Sequence, residues 1–216
     1  MVLLGRWLKA HWLPLATHIG ALAPLARLVW LYGRGLFMVD PVREMTTITG
    51  RTAMVLLVLT LACTPVQIVF GFAQVRRVRR ALGLYTFGYA ALHFFVFAGL
   101  DYGFDLGLLG PALVLQRFVL VGLVAFLLLL PLAVTSTRGW QRRLGKNWRR
   151  LHWLFYPAAA LVVVHLLWLS KDPRMSVRYG AIIAVLLLVR VPPIRKAIVA
   201  LRRRVTRDRT ADPKPA

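Results

Sequence analysis

A chain of 216 residues in which 59% are hydrophobic and only 17% charged, with a mean hydropathy of +0.66, lies outside the balance of a soluble globular domain. Its net charge of +22 does not point to nucleic acid, because long apolar runs, not polar surface, separate the basic clusters. A single cysteine, Cys63, excludes an intrachain disulfide and a thiolate metal cluster. What remains is a membrane protein whose basic residues act as topology signals.

A bilayer core about 30 Å thick calls for about 20 mainly apolar residues per helix. Six windows meet that length, at 11–32, 50–71, 83–101, 110–134, 150–170 and 176–194, and predict an all-α, polytopic membrane helix bundle. Pro14 and Pro24 interrupt the first window, which also carries His11 and His18. No small-residue cleavage site leads from it into a polar mature chain, so it reads as an uncleaved helix. The second carries Arg51 near its outer end and holds Cys63 as a small apolar side chain, and the third has His93 at its middle. The fourth carries Arg117 near its outer end. The fifth is entered through Arg149 and Arg150, meets His152 at once and reaches His165 towards its far end.

After about residue 195 the chain turns basic and ends in "TADPKPA". Residues 1–195 therefore read as one transmembrane domain, and 196–216 as a basic tail, a membrane-surface helix followed by disorder. Lys and Arg are divided unevenly between the connections. Eighteen lie between windows 2 and 3, between windows 4 and 5, and in the tail, against five (Arg34, Arg43, Lys171, Arg174 and Arg178) on the opposite side. This predicts both termini in the cytoplasm, consistent with six spans. There is no soluble domain, no G-x-G-x-x-G, no P-loop and no repeat of fixed period, so any chemistry sits in the bundle.

An ionisable group inside a membrane is costly and marks a functional candidate with a partner. Neutral imidazole is also a haem ligand, and two histidines on facing helices satisfy their nitrogens around one iron. His152 and His165 are separated by a rise of about 20 Å and a rotation of about 140° on an ideal helix, so they cannot share that iron. Counted from the cytoplasmic side, His93 lies about 15 Å deep, His165 about 22 Å and His152 about 3 Å. His93 and His165 are therefore paired around one haem, the plainer alternative being an interhelical hydrogen bond.

His152 has no matching partner, since Arg80 and Leu106 stand thirteen residues either side of His93. It is open to a second haem with another ligand, to a haem propionate, to a flavin or quinone, or to a role as an interfacial anchor beside Trp153. His11 and His18 share a helix face with Pro14 between them and read as non-ligands. Arg51 and Arg117 are placed to pair with haem propionates or to snorkel to the interface.

The runs "DPVREMTTITGRTAM", "LGLYTFGYAALH", "PLAVTSTRGWQRRLGKNWRRLHWLFY" and "VVVHLLW" resemble the MsrQ (formerly YedZ) family of the ferric reductase-like transmembrane group. The resemblance covers about residues 1 to 205. It implies a haem-binding inner-membrane subunit of a bacterial methionine sulfoxide reductase system. Electrons from the quinone pool, or from a cytosolic flavin reductase, pass through b-type haem, with FMN as a further cofactor, to the periplasmic molybdopterin enzyme MsrP. The family's haem histidines match His93, His152 and His165, and the chain lacks the second helix-3 histidine of the wider group. On this reading the protein transfers electrons and the partner reduces methionine sulfoxide. Two alternatives stand beside it: a ferric-chelate or other metalloreductase of the same fold, and a haem-free transporter or scaffold. No matched pair of broken helices favours the latter.

Overall fold

The computed structural model describes residues 2–37, 40–170 and 172–211, with side chains over 11–37, 40–170 and 172–204. Lys171, the side chains of Arg207 and Arg209, and the expected disorder at the extreme end (212–216) lie outside the described residues. In chain order the helices are α1 (Val2–Gly33), α2 (Pro41–Phe70), α3 (Val75–Val96) with a π-helical turn at Phe97–Asp101, α4 (Leu106–Leu115) and α5 (Arg117–Val134). They continue as α6 (Arg138–Leu144), α7 (Lys146–Leu151), a 3-10 turn at His152–Leu154, α8 (Phe155–Leu169), α9 (Pro173–Leu188) and α10 (Pro192–Ala211). Among the described residues, five spans are long and apolar enough to cross a membrane: 11–33, α2, 75–101, α5 and 146–169. The sixth expected span is α9, a shorter helix of 16 residues.

The scarce acidic residues are spent on helix starts. The carboxylates of Asp40, Asp105 and Asp172 accept from the backbone N–H groups of Arg43, Gly107 and Arg174, opening α2, α4 and α9, and proline at the first turn of α2 and α9 loses no bond there. At the other end of α2, Gly71 takes the left-handed conformation, φ 73°, that ends a helix.

One expectation needs correction. The window 110–134 is not one helix: Gln116 adopts an extended conformation, φ −103° and ψ 90°, which ends α4 and starts α5. The window 150–170 holds as the span 146–169, with one local tightening. Pro157 has no N–H for the carbonyl of Trp153, and the helix tightens there into the 3-10 turn that begins at His152.

Prolines inside spans leave carbonyls without intrahelical donors, and in hydrocarbon these need another partner. Pro65 frees the carbonyl of Leu61 in α2. The Arg190 guanidinium, reaching over from the end of α9, donates to that carbonyl at 2.6 Å and to the Tyr156 hydroxyl at 3.1 Å. Arg202 of α10 donates to the carbonyls of Gln67 and Ile68 in the last turn of α2, both at 3.2 Å. Some of the basic excess thus caps helix ends.

Helices α2 and α3 pack together as one pair and α5 and α8 as another. The pairs join through α3 against α5, where Phe126 stacks between Phe87 and Phe94 with ring centres 5.5 and 5.3 Å away. Helix α8 is buried on two sides by small residues. Ala158 packs with Leu129 and Leu132 of α5, and Ala159 with Leu57 and Leu61 of α2 and Ile183 of α9. Both alanines are 0% exposed, the close approach that small residues permit in membrane bundles. Cys63 is buried in the α1–α2–α3 cluster.

Candidate functional site

The two packed pairs meet at a pair of histidines. His93 lies near the end of α3 and His165 near the end of α8. Their rings face each other with centres 6.2 Å apart and planes at 87°.

Each ring is held in the same way. The Nδ1–H of His93 donates to the carbonyl of Thr46 on α2 at 2.9 Å, and that of His165 donates to the carbonyl of Phe118 on α5 at 2.6 Å. A carbonyl only accepts, so the proton is on Nδ1 and the Nε2 lone pair is left for a ligand bond. Both histidines follow the carbonyl they use by 47 residues. One helical turn beyond each carbonyl stands a glycine on the histidine's side: a Cβ on Gly50 would lie 3.0 Å from His93 Nδ1, and one on Gly122 2.7 Å from His165 Nδ1. The two halves therefore repeat one device, a carbonyl and a bare helix face that seat an imidazole.

Two imidazoles with their Nε2 lone pairs left over would suit a haem iron. Imidazole nitrogens bind metals at about 2.0–2.1 Å, and ring centres 6.2 Å apart would leave both His93 and His165 within reach of one iron. Backbone carbonyls on the far nitrogens are the usual means of fixing such ligands. Chemically, the pair can hold an iron that changes charge by one electron.

His152 is placed elsewhere. It opens the 3-10 turn, half-buried, with Nδ1–H donating to the Trp148 carbonyl at 3.0 Å and its ring 3.9 Å from the Trp148 ring centre. Trp148 is itself tied to the Thr135 carbonyl through Nε1 at 2.9 Å. The Nδ1–H bond of His152 leaves its Nε2 lone pair over as well, yet among the described residues no cluster of three His, Cys, Asp or Glu forms anywhere. His18 bonds the Tyr85 hydroxyl at 2.9 Å, tying α1 to α3. Arg117 is the exposed first residue of α5, next to Phe118. Arg51 follows Gly50 but lines a crevice facing α1.

Reading the sequence missed Gly50, Gly122 and the two carbonyls. A glycine inside each of two apolar spans was the available signal, and it has no meaning until the helix opposite is known.

Residues 49–163 match the family model of the ferric reductase like transmembrane component. The chain is 44% identical over 183 residues to the "Protein-methionine-sulfoxide reductase heme-binding subunit MsrQ" of Xanthomonas campestris pv. campestris (strain B100), covering 82% of this chain and 84% of that one. The protein of the same name from Xanthomonas axonopodis pv. citri (strain 306) is 44% identical over 182 residues, covering 81% and 84%. That from Xanthomonas oryzae pv. oryzae (strain MAFF 311018) is 43% identical over 178 residues, covering 79% and 82%. No solved structure matches. With its apolar spans and these relatives, the chain is a multi-pass inner-membrane protein, and it belongs to the MsrQ family within the ferric reductase-like transmembrane group.

Proposed function

We propose that this protein is the membrane electron-transfer subunit of a methionine sulfoxide reductase system, holding b-type haem between α3 and α8. The observation that carries the reading is the facing His93 and His165 pair, with rings 6.2 Å apart and each Nε2 left available by its carbonyl bond. The names of the relatives supply haem binding and the methionine sulfoxide reductase system.

Bound there, haem supplies a one-electron couple. The chain's own work is to ligate and orient. His93 and His165 provide Nε2, Thr46 and Phe118 fix the ring orientation, and Gly50 and Gly122 leave room for it. Apolar packing around the pair keeps water away and lowers the local dielectric, which tunes the potential. Arg117 is the cation we assign to a haem propionate. No acid, base or nucleophile is required, since methionine sulfoxide is reduced on the partner.

The proposal extends to direction. The Lys and Arg asymmetry supports both termini and the basic tail in the cytoplasm; in that orientation the ends of α3 and α8, and with them the histidine pair, lie towards the periplasm. Electrons enter from the quinone pool or from a cytosolic flavin reductase and leave to a periplasmic MsrP-like molybdopterin subunit. His152, on the cytoplasmic side, is the position we assign to a second cofactor, haem or FMN.

The test is the reduced-minus-oxidised absorption spectrum and haem content of the detergent-purified protein, with His93→Ala and His165→Ala. A b-type spectrum lost in both variants is the expected result. A folded protein purified without haem from haem-replete cells sinks the reading and leaves the transporter or scaffold in front.

A further inference from the structure

Among the described side chains of helix α1, Ala21 and Leu28 are the buried hydrophobic ones. Between α1 and the faces of α2 and α3 runs an apolar cavity of about 560 Å³, within the size range of small-molecule sites. Its wall along α2 extends from Arg51 to Val66, about 22 Å of helix axis, the length of an extended acyl chain. At the Arg51 end it merges with a second recess of about 450 Å³ that adds Arg27 and Thr47. Gly20, Pro24, Arg51 and Thr52 line both.

The mouth is cationic. The hydroxyls of Thr17, Thr47 and Thr52 donate to carbonyls of their own helices, each at 2.8 Å, so the donors left for a ligand are the two guanidiniums. Neither Arg27 nor Arg51 has a hydrogen-bond or ion-pair partner among the described residues. Arg51 stands immediately before the apolar stretch of α2 that begins "TAMVLLVL", and its long side chain can carry the guanidinium from there towards the interface. An apolar slot that ends in two guanidiniums selects a ligand with a long hydrocarbon chain and an anionic, bidentate-accepting head.

We propose that this crevice binds an anionic phospholipid, with one acyl chain along α2 and the phosphate between Arg27 and Arg51. A quinone tail matches the slot, but its uncharged head makes little use of two cations. The histidine pair of the haem reading meets α2 at Gly50, outside the lining of the crevice. The site stands independently of the haem reading.

The test uses the full chain, purified in mild detergent, with retained lipids counted by native mass spectrometry and identified after extraction. About one phosphatidylglycerol-type lipid per chain is expected, falling roughly tenfold in the double variant Arg27→Gln/Arg51→Gln, a decade of affinity being about 1.4 kcal/mol. Arg138→Gln, on α6, should retain it. Gly20→Leu should lose it with both arginines intact, because a side chain at Gly20 meets nothing within 4 Å of its Cβ and enters the slot. If the double variant does not fold, Gly20→Leu carries the test, together with the thermal midpoint of the unaltered protein in phosphatidylcholine vesicles with and without phosphatidylglycerol. A rise with the anionic lipid supports the site. Equal retention of anionic and zwitterionic lipids, retention unaffected by the variants, no rise in midpoint, or a quinone extracted in place of phospholipid overturns it.

Discussion

Gly122 and His165 sit so close that the smallest side chain on the glycine would press on the imidazole, with a Cβ 2.7 Å from Nδ1. The ring cannot retreat cheaply, because the same nitrogen is bonded to the Phe118 carbonyl at 2.6 Å. Gly122→Ala should therefore displace the ring, lower haem content and shift the midpoint potential and low-temperature spectrum of what remains. Gly50→Ala, where the gap to His93 is 3.0 Å, should act in the same direction but more weakly. Gly88→Ala on α3 is the control: its Cβ meets nothing within 4 Å, so haem content should hold, with helix propensity adding up to about 1 kcal/mol of stability. Equal haem content and potential in all three variants would show that the glycines do not seat the histidines.

The histidines should separate by role. His93→Ala and His165→Ala should each abolish the signature of the paired site. His152→Ala should leave that signature in place, since its ring is anchored to Trp148 in a different part of the bundle; the change in haem per polypeptide then counts any second haem. His18→Ala should keep full haem content, because His18 is engaged with Tyr85. Haem titrated by pyridine haemochrome against protein mass checks all four.

Arg190 and Pro65 should be coupled. Arg190→Ala leaves the Leu61 carbonyl buried and unpaired, a loss of about 1–3 kcal/mol. Pro65→Ala restores an N–H one turn along α2, so the arginine should matter less in that background. A double-mutant cycle on thermal midpoints in detergent reads the coupling. Strict additivity would mean that Arg190 acts mainly through Tyr156, which it also contacts.

Ala159, 0% exposed against α2 and α9, leaves no space for a larger side chain. Ala159→Leu should destabilise by about 1–3 kcal/mol through overpacking. Leucine at Ala160, exposed on the next position of α8, should be close to neutral. The comparison needs only the two melting curves.

What the sequence determined by itself is what depends on distance along a helix and on hydrocarbon thickness. Apolar run length was enough for the membrane class and five of the spans, and the rise per residue was enough to set His93 and His165 at neighbouring depths, well away from His152. The motifs around them were enough for the family. Only the tertiary structure decided which surfaces face one another. Backbone carbonyls have no residue signature, so Thr46, Phe118 and Leu61 could not be read as partners. A glycine's lack of a side chain matters only once an imidazole lies against it. The break at Gln116 likewise escaped a hydropathy window, because averaging over twenty residues absorbs one extended residue. Arg51 shows the same limit: that it lines the crevice beside α1 depends on the rotation of α2 within the bundle, which packing alone sets.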